Sequence, residues 1–277
     1  MRRYFSDTDH CRFISDFQFL FRMIRSSHGE LDLRLRDGYF NLYYRGNSMM
    51  AVYFRKSDYR VSINNKFTTG VFDDVDARLA PIIDTVHEDS RGYRNYFVRP
   101  AVLHLLLQRR HLDRIQTRIK RVNHGEETTF EHALITDNQD REDYFVIDRQ
   151  VRDPGTRYQM DLLGLRQVAG CRYEFEVIEV KMGNNPELAG RVAEQLTTYV
   201  EHAQSNAGEW AASYERTYQQ LRSTGILDVP HYERITIEPR VSGRIVVMGY
   251  SGMAAAPIRA LKTRFPGICV QQMSHEL

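Results

Sequence analysis

The sequence predicts an α/β protein with a mixed central sheet flanked by helices, preceded by an N-terminal β-meander. Three observations carry this expectation. Residues 30–63 alternate apolar and polar side chains in short runs broken by glycine-containing turns, the period of half-buried strands. Beyond residue 126, strand-like and helix-like runs alternate. One late run, RIVVMGYS (244–251), is almost wholly apolar, as expected of a strand at the centre of a covered sheet.

In chain order, FISDFQFLFRMI (13–24) has the apolar spacing of an amphipathic helix. ELDLRLR (30–36) and YFNLYYR (39–45) read as a hairpin around Asp37-Gly38. Gly46-Asn47 marks a second turn before MMAVYFR (49–55), and YRVSI (59–63) completes the meander. VDARLAPIIDTVHE (75–88) reads as a helix. SRGYRNYFVRP, ending at Pro100, reads as a linker, so the expected boundary separates residues 1–95 from 96–277. Pro100 suits the first turn of a long helix over 101–122, whose Leu103, Leu107, Leu112, Ile115 and Ile119 share one face. Asn123-His124-Gly125 ends it, and EETTFEHALI (126–135) is a shorter helix.

Strands are then expected at 143–151, 157–167 and 173–181, with turns at Asp153-Pro154-Gly155 and Ala169-Gly170. Pro186 opens a helix to about residue 206, with Asn185 as its N-cap. A helix over 208–225, the apolar strand, a helix over 256–265 and a last strand over 267–273 follow.

The 277 residues suffice for one large or two modest cores. A net charge of +2 does not by itself announce a nucleic-acid binder, so charge distribution matters more. Cys11, Cys171 and Cys269 are far apart and lack CxxC spacing, which fits neither a disulfide framework nor a zinc site. No apolar run follows the N-terminal arginines or reaches membrane-spanning length, so the expectation is a cytoplasmic protein without membrane contact. The ten histidines show no HExxH pattern, GYSGM (249–253) is not GxSxG, and no Walker A or dinucleotide-binding glycine pattern occurs.

One constellation carries chemistry. Alternation along 173–181 puts Glu179 and Lys181 on one strand face with Tyr173, Phe175 and Val177. Asp161 lies on the preceding strand, and the short connection at 168–171 suggests a hairpin that sets Asp161 beside Glu179. Two carboxylates and a backbone carbonyl, such as that of Val180, form a hard oxygen set suited to Mg²⁺ or Mn²⁺. Such a set with a nearby lysine fits metal-dependent phosphodiester hydrolysis, in which Lys181 positions water or stabilises developing charge. Gln195 and Tyr199 share a helix face four residues apart. Read blandly, Glu179 and Lys181 form a solvated ion pair, and Gln195 and Tyr199 are packing residues with polar tips.

With these residues in view, the chain resembles the PD-(D/E)XK nuclease superfamily over roughly residues 110–250. Asp161 matches the motif's aspartate and Glu179-Val180-Lys181 matches ExK. Gln195-Leu-Thr-Thr-Tyr199 looks like the QxxxY element of the RecB-like branch, and Met160 stands where the motif has proline. The resemblance implies a restriction-endonuclease-like core and Mg²⁺- or Mn²⁺-dependent cleavage of DNA. It makes Asp161 and Glu179 metal ligands and gives Lys181, Gln195 and Tyr199 catalytic or orienting roles. Glu131 is the preferred acid on the preceding helix, with Glu127 one turn earlier as the alternative. The resemblance also implies a role in restriction, phage defence, repair or mobile elements. The N-terminal part would serve recognition, homodimerisation or partner contact. Arg109, Arg110, Arg114 and Arg118 on the basic helix would grip a nucleic-acid backbone without reading sequence; a solvated charged face is the alternative. Other readings are an RNA-directed nuclease and a catalytically inactive binding module of the same fold.

Overall fold

Alternation within the strands between Leu31 and Ile63 sends Leu33, Leu42, Val52 and Val61 to one side of a sheet, and those residues are almost solvent-free. The computed structural model describes residues 1–84, 86–123, 125–153 and 157–273. It is a mixed α/β architecture with two sheets, and the chain divides into two compact units. Among the described residues no helix is long and apolar enough to cross a membrane.

The first unit comprises residues 2–125 and 220–227. Its sheet is antiparallel: β1 (Leu31–Arg36), β2 (Tyr39–Tyr44), β3 (Asn47–Phe54), β4 (Tyr59–Asn64), β5 (His87–Glu88) and β6 (Tyr93–Val98), in the order β1-β2-β3-β4-β6-β5. Gly38 closes the first hairpin at φ +73, a left-handed conformation that glycine adopts cheaply. The second turn is Arg45-Gly46, one residue earlier than expected, because Asn47 already pairs with Tyr44.

The expected helix over 13–24 is two helices, α1 (Asp7–Asp16) and α2 (Gln18–Arg25), broken at Phe17. Ser6 caps α1 by accepting from the Asp9 amide at 3.1 Å. Phe13, Phe17, Leu20 and Phe21 meet Phe40 and Val52 of the sheet in one apolar cluster. Among the described residues of 75–88 only Ala80–Asp84 (α3) is helical, and the segment ends in β5.

The boundary expected at 95/96 lies instead at 125/126. The supposed linker is β6, which pairs with β4 through six residues of each strand. The helices after it, α4 (Pro100–Leu106) and α5 (Arg109–Val122), contribute Leu103, Leu106, Leu107, Leu112, Ile115 and Ile119 to the cluster that fills the meander. The single helix expected there breaks at Gln108, which is extended. Buried His111 donates a ring N–H to the Leu106 carbonyl at 3.0 Å, satisfying an acceptor that the break releases. Residues 220–227 belong here too: Gln220 exchanges two hydrogen bonds with the Phe5 backbone at 2.8 and 3.0 Å, and Leu221 joins the core.

The second unit holds Met1 and residues 126–219 and 228–277. Its mixed sheet consists of β7 (Tyr144–Arg152), β8 (Gln159–Ala169), β9 (Arg172–Met182), β10 (Thr236–Met248) and β11 (Cys269–Met273), in the order β11-β10-β9-β8-β7. Strands β7, β8 and β9 form an antiparallel meander, and β10 and β11 continue it in parallel. The apolar run 244–248 is an interior segment between β9 and the edge strand β11; the strand at the centre of the sheet is β9, not β10 as expected. Helix α6 (Glu126–Asp137) packs on one face, where Phe130 and Ile135 meet Leu162, Ile178, Val180 and Val246. On the other face lie α7 (Arg191–Ser205) and α8 (Ala207–Ser223): Phe175 meets Trp210 and Tyr214 edge-on at 6.4 and 5.8 Å.

Asn185 does cap at Pro186, accepting from the Glu187 amide at 2.9 Å. What it starts is a short 3₁₀ turn, Pro186–Ala189, and Gly190 at φ +145 separates that turn from α7. Helix α9 (Ser251–Arg264) begins earlier than expected and carries Pro257 inside it. The three cysteines are free and exposed. His124 and most of the expected turn at Asp153-Pro154-Gly155 lie outside the described residues.

Candidate active site

The β8–β9 hairpin turns at Gly170-Cys171, and its ladder runs back to Leu162 opposite Ile178. Asp161 and Glu179 are the next residues beyond that last pair, on the face shared with Leu163 and Val177. Where the ladder stops, the Asp161 side chain replaces it: its Oδ2 accepts from the Val180 amide at 2.9 Å. The expected juxtaposition of Asp161, Glu179 and Lys181 is therefore present.

Lys181 is the centre of the cluster. Its Nζ lies 3.3 Å from Glu179 Oε2 and 3.8 Å from carboxylate oxygens of Asp161, Glu127 and Glu187. Glu179 is 1% and Lys181 5% exposed, so a solvated ion pair on a strand face is not what is observed. Asn185 donates to Glu127 at 3.5 Å, tying α6 to the loop after β9.

The charges are unbalanced, and the titration shifts follow. Burial raises the Asp161 carboxyl above its usual range, against the pull of Lys181 and the Val180 amide. Burial and the facing Asp161 raise Glu179, with Lys181 opposing. Glu127 is raised by burial as well. Burial also works against the Lys181 charge, but Asp161, Glu179 and Glu127 more than offset it and its pKa is raised. One ammonium thus stands among four carboxylates, and the Asp161–Glu179 pair favours retaining a proton.

Glu131 sits in an adjoining network. It is 3% exposed, and its Oε2 accepts from Arg149 at 3.1 Å and from Gln150 Nε2 at 2.9 Å. Burial and Asp161 push it up to about 7, while Arg149 and Gln150 hold it from going higher. Arg149 has no exposed surface. Gln150 lies between Arg149, paired with Leu162, and Val151, paired with Met160, which puts it opposite Asp161. It is left-handed at φ +48, a strained state for a side chain without special tolerance. Both acids of α6 therefore reach this region: Glu127 touches Lys181 directly, and Glu131 stands behind on Arg149 and Gln150.

Gln195 and Tyr199 are joined, Gln195 Nε2 donating to the Tyr199 hydroxyl at 2.8 Å. Neither hydrogen-bonds to Lys181 or to its carboxylates among the described residues. Gln195 Oε1 is shielded and without a partner, as is Glu179 Oε1.

The four arginines expected to hold a backbone lie on α5, in the first unit rather than with the carboxylates. Arg109 is exposed and 3.8 Å from Asp113, and Arg114 donates to the Val71 carbonyl at 3.0 Å. Sequence reading missed Arg149, Gln150 and Glu187. A period-two pattern gives no hint of the register shift between Val146 and Asp148 that re-aims β7, and Glu187 belongs to a 3₁₀ turn read as regular helix.

No protein-family model, curated protein or solved structure matches the chain. Among the described residues no set of three or more His, Cys, Asp or Glu side chains forms a ready cage for a metal ion.

Proposed function

We propose that the protein is a metal-dependent nuclease that hydrolyses phosphodiester bonds in DNA, with its second unit as a restriction-endonuclease-like core. The observation that carries this is the excess of carboxylate around the buried Lys181, where two strands and a helix converge. Glu179 is almost solvent-free and Asp161 largely shielded, and holding that pair beside one ammonium, with the partly exposed Glu127 and Glu187 also near it, is costly without a further cation. The mixed sheet, with its acids on adjacent central strands and helices on both faces, supports the same reading.

The donor set fits Mg²⁺ or Mn²⁺: Asp161 and Glu179 present hard oxygens, and Glu179 Oε1 is buried without a partner. A bound ion would polarise the scissile phosphate and lower the pKa of a bound water. Asp161 is fixed for ligation by the Val180 amide, and Glu179 by Lys181. Lys181 Nζ would hold the attacking water or the negative charge developing on phosphate. Glu131 is the outer carboxylate, kept in reach of a proton at neutral pH by its raised pKa. Gln195 and Tyr199 supply a hydrogen-bonded pair for orienting Lys181 or a phosphate oxygen. The setting is cytoplasmic, in restriction, phage defence, repair or mobile elements. The first unit serves recognition, homodimerisation or partner contact.

The test is incubation of supercoiled plasmid, linear duplex, single-stranded DNA and RNA with Mg²⁺ or Mn²⁺ against EDTA, beside Lys181→Ala. Metal-dependent scission of DNA that Lys181→Ala abolishes is the expected result. Scission of RNA alone moves the substrate to RNA. Binding without scission by the wild type on every substrate leaves a non-catalytic module and ends the nuclease reading.

A further inference from the structure

Helix α5 carries a second charged feature, and it belongs wholly to the first unit. Arg110, Arg114, Arg118 and Arg121 follow one another at i, i+4, i+8 and i+11, on a side away from the core stripe of Leu112, Ile115 and Ile119. Arg114, Arg118 and Arg121 line one groove with Asp113 and with Thr69 and Gly70 of the loop after β4. Arg114 is anchored there through Val71. Arg118 Nε is shielded from solvent and has no hydrogen-bond partner. Asp113 also lines the groove and lies 3.8 Å from the exposed Arg109. Gly70 is at φ +71 and brings no side chain of its own to the groove, though Asp73 Oδ2 lies 3.5 Å from where its Cβ would stand.

Three guanidinium groups gathered in one concavity outnumber its lining acid, Asp113, and repel one another, and a bound anion relieves this. The planar fork of arginine matches phosphate oxygens. The stripe from Arg110 to Arg121 extends about 16 Å along the helix axis, which suits a linear polyanion better than a single phosphate. The groove's lining has no apolar anchor of the kind that protein partners fill. We propose that this groove binds the sugar–phosphate backbone of a nucleic-acid strand, without sequence preference, and so makes the first unit a nucleic-acid-binding module. This stands independently of the carboxylate cluster, because binding needs no catalysis.

The test uses the full chain in EDTA, so that scission cannot interfere. Fluorescence anisotropy of labelled duplex and single-stranded DNA is followed against salt for the wild type and for Arg110→Gln/Arg118→Gln/Arg121→Gln. Arg114 is kept because it holds the loop. A control, Lys56→Gln/Arg91→Gln/Arg99→Gln, removes the same charge from exposed positions of the same unit. Circular dichroism verifies that both variants fold. The expected result is a slope of log K against log salt smaller by about 2–3 in the groove variant, from about 0.7–0.9 per lost phosphate contact, with the control close to wild type. An unchanged slope in the groove variant, an equal change in the control, or binding of poly-glutamate as tight as that of DNA overturns the proposal.

Discussion

Burial and Asp161 raise the Glu131 carboxyl, and Arg149 opposes them. The guanidinium is fully buried and 3.1 Å from the carboxylate, so its loss leaves an acid facing Asp161 with less compensation. Arg149→Met is expected to destabilise the protein by about 3–5 kcal/mol. The deficit depends on pH in a definite direction. A carboxyl with a raised folded pKa contributes stability below its unfolded range, and that contribution disappears as pH rises through the folded pKa. In the wild type the loss is complete a little above 7; without Arg149 it continues to higher pH. Thermal unfolding between pH 6 and 9 should therefore show the deficit widening above pH 7, and a deficit constant with pH would contradict the role given to Arg149. At this scale the sequence was informative where strands were regular. Asp161, Glu179 and Lys181 could be placed together from alternation and a short turn. Arg149 and Gln150 could not, because the shifted register of β7 and the left-handed Gln150 are set by tertiary packing.

Among the elements, β9 is placed by contacts at its end. Gly183 follows Lys181 by two residues, and its amide donates to the Met248 carbonyl at 2.8 Å. A Cβ at Gly183 would run into the carbonyl oxygen of Gly249, a backbone atom that cannot swing aside. Gly183→Ala is expected to cost about 1–3 kcal/mol in chemical denaturation. Gly252→Ala, in the first turn of α9 with open space around its Cβ, should instead be neutral or stabilising by up to about 1 kcal/mol. Equal effects at the two positions would show that close approach at the end of β9 is unimportant. Element existence was mostly legible from periodicity, and element ends were not. Helices over 13–24 and 101–122 break at Phe17 and Gln108, neither of which is glycine or proline, so no local signal marked them. β6 went unread because Arg91-Gly92 and Pro100 bracket a short charged strand whose burial comes only from pairing with β4.

For the whole molecule, the division into units follows the hydrophobic cores and not the apparent linker. A fragment of residues 96–277 would carry Leu103, Leu106, Leu107, Leu112, Ile115 and Ile119 without the meander that buries them. It is expected to bind a hydrophobic dye and aggregate, whereas the intact chain stays monodisperse at the same concentration. A well-dispersed amide spectrum from that fragment would argue against the 125/126 boundary. Placement of the basic helix in the first unit has the same origin: its apolar stripe belongs to the meander core, so its arginines go with it.

The most direct measurement is the rate of plasmid cleavage in Mg²⁺ by the wild type and by Glu179→Gln, a change that keeps the side chain's shape and removes its charge. The predicted result is metal-dependent scission by the wild type and a loss of at least about 10²-fold in the variant. Scission at the same rate by both proteins would contradict the assignment of the Asp161–Glu179–Lys181 cluster as the hydrolytic site.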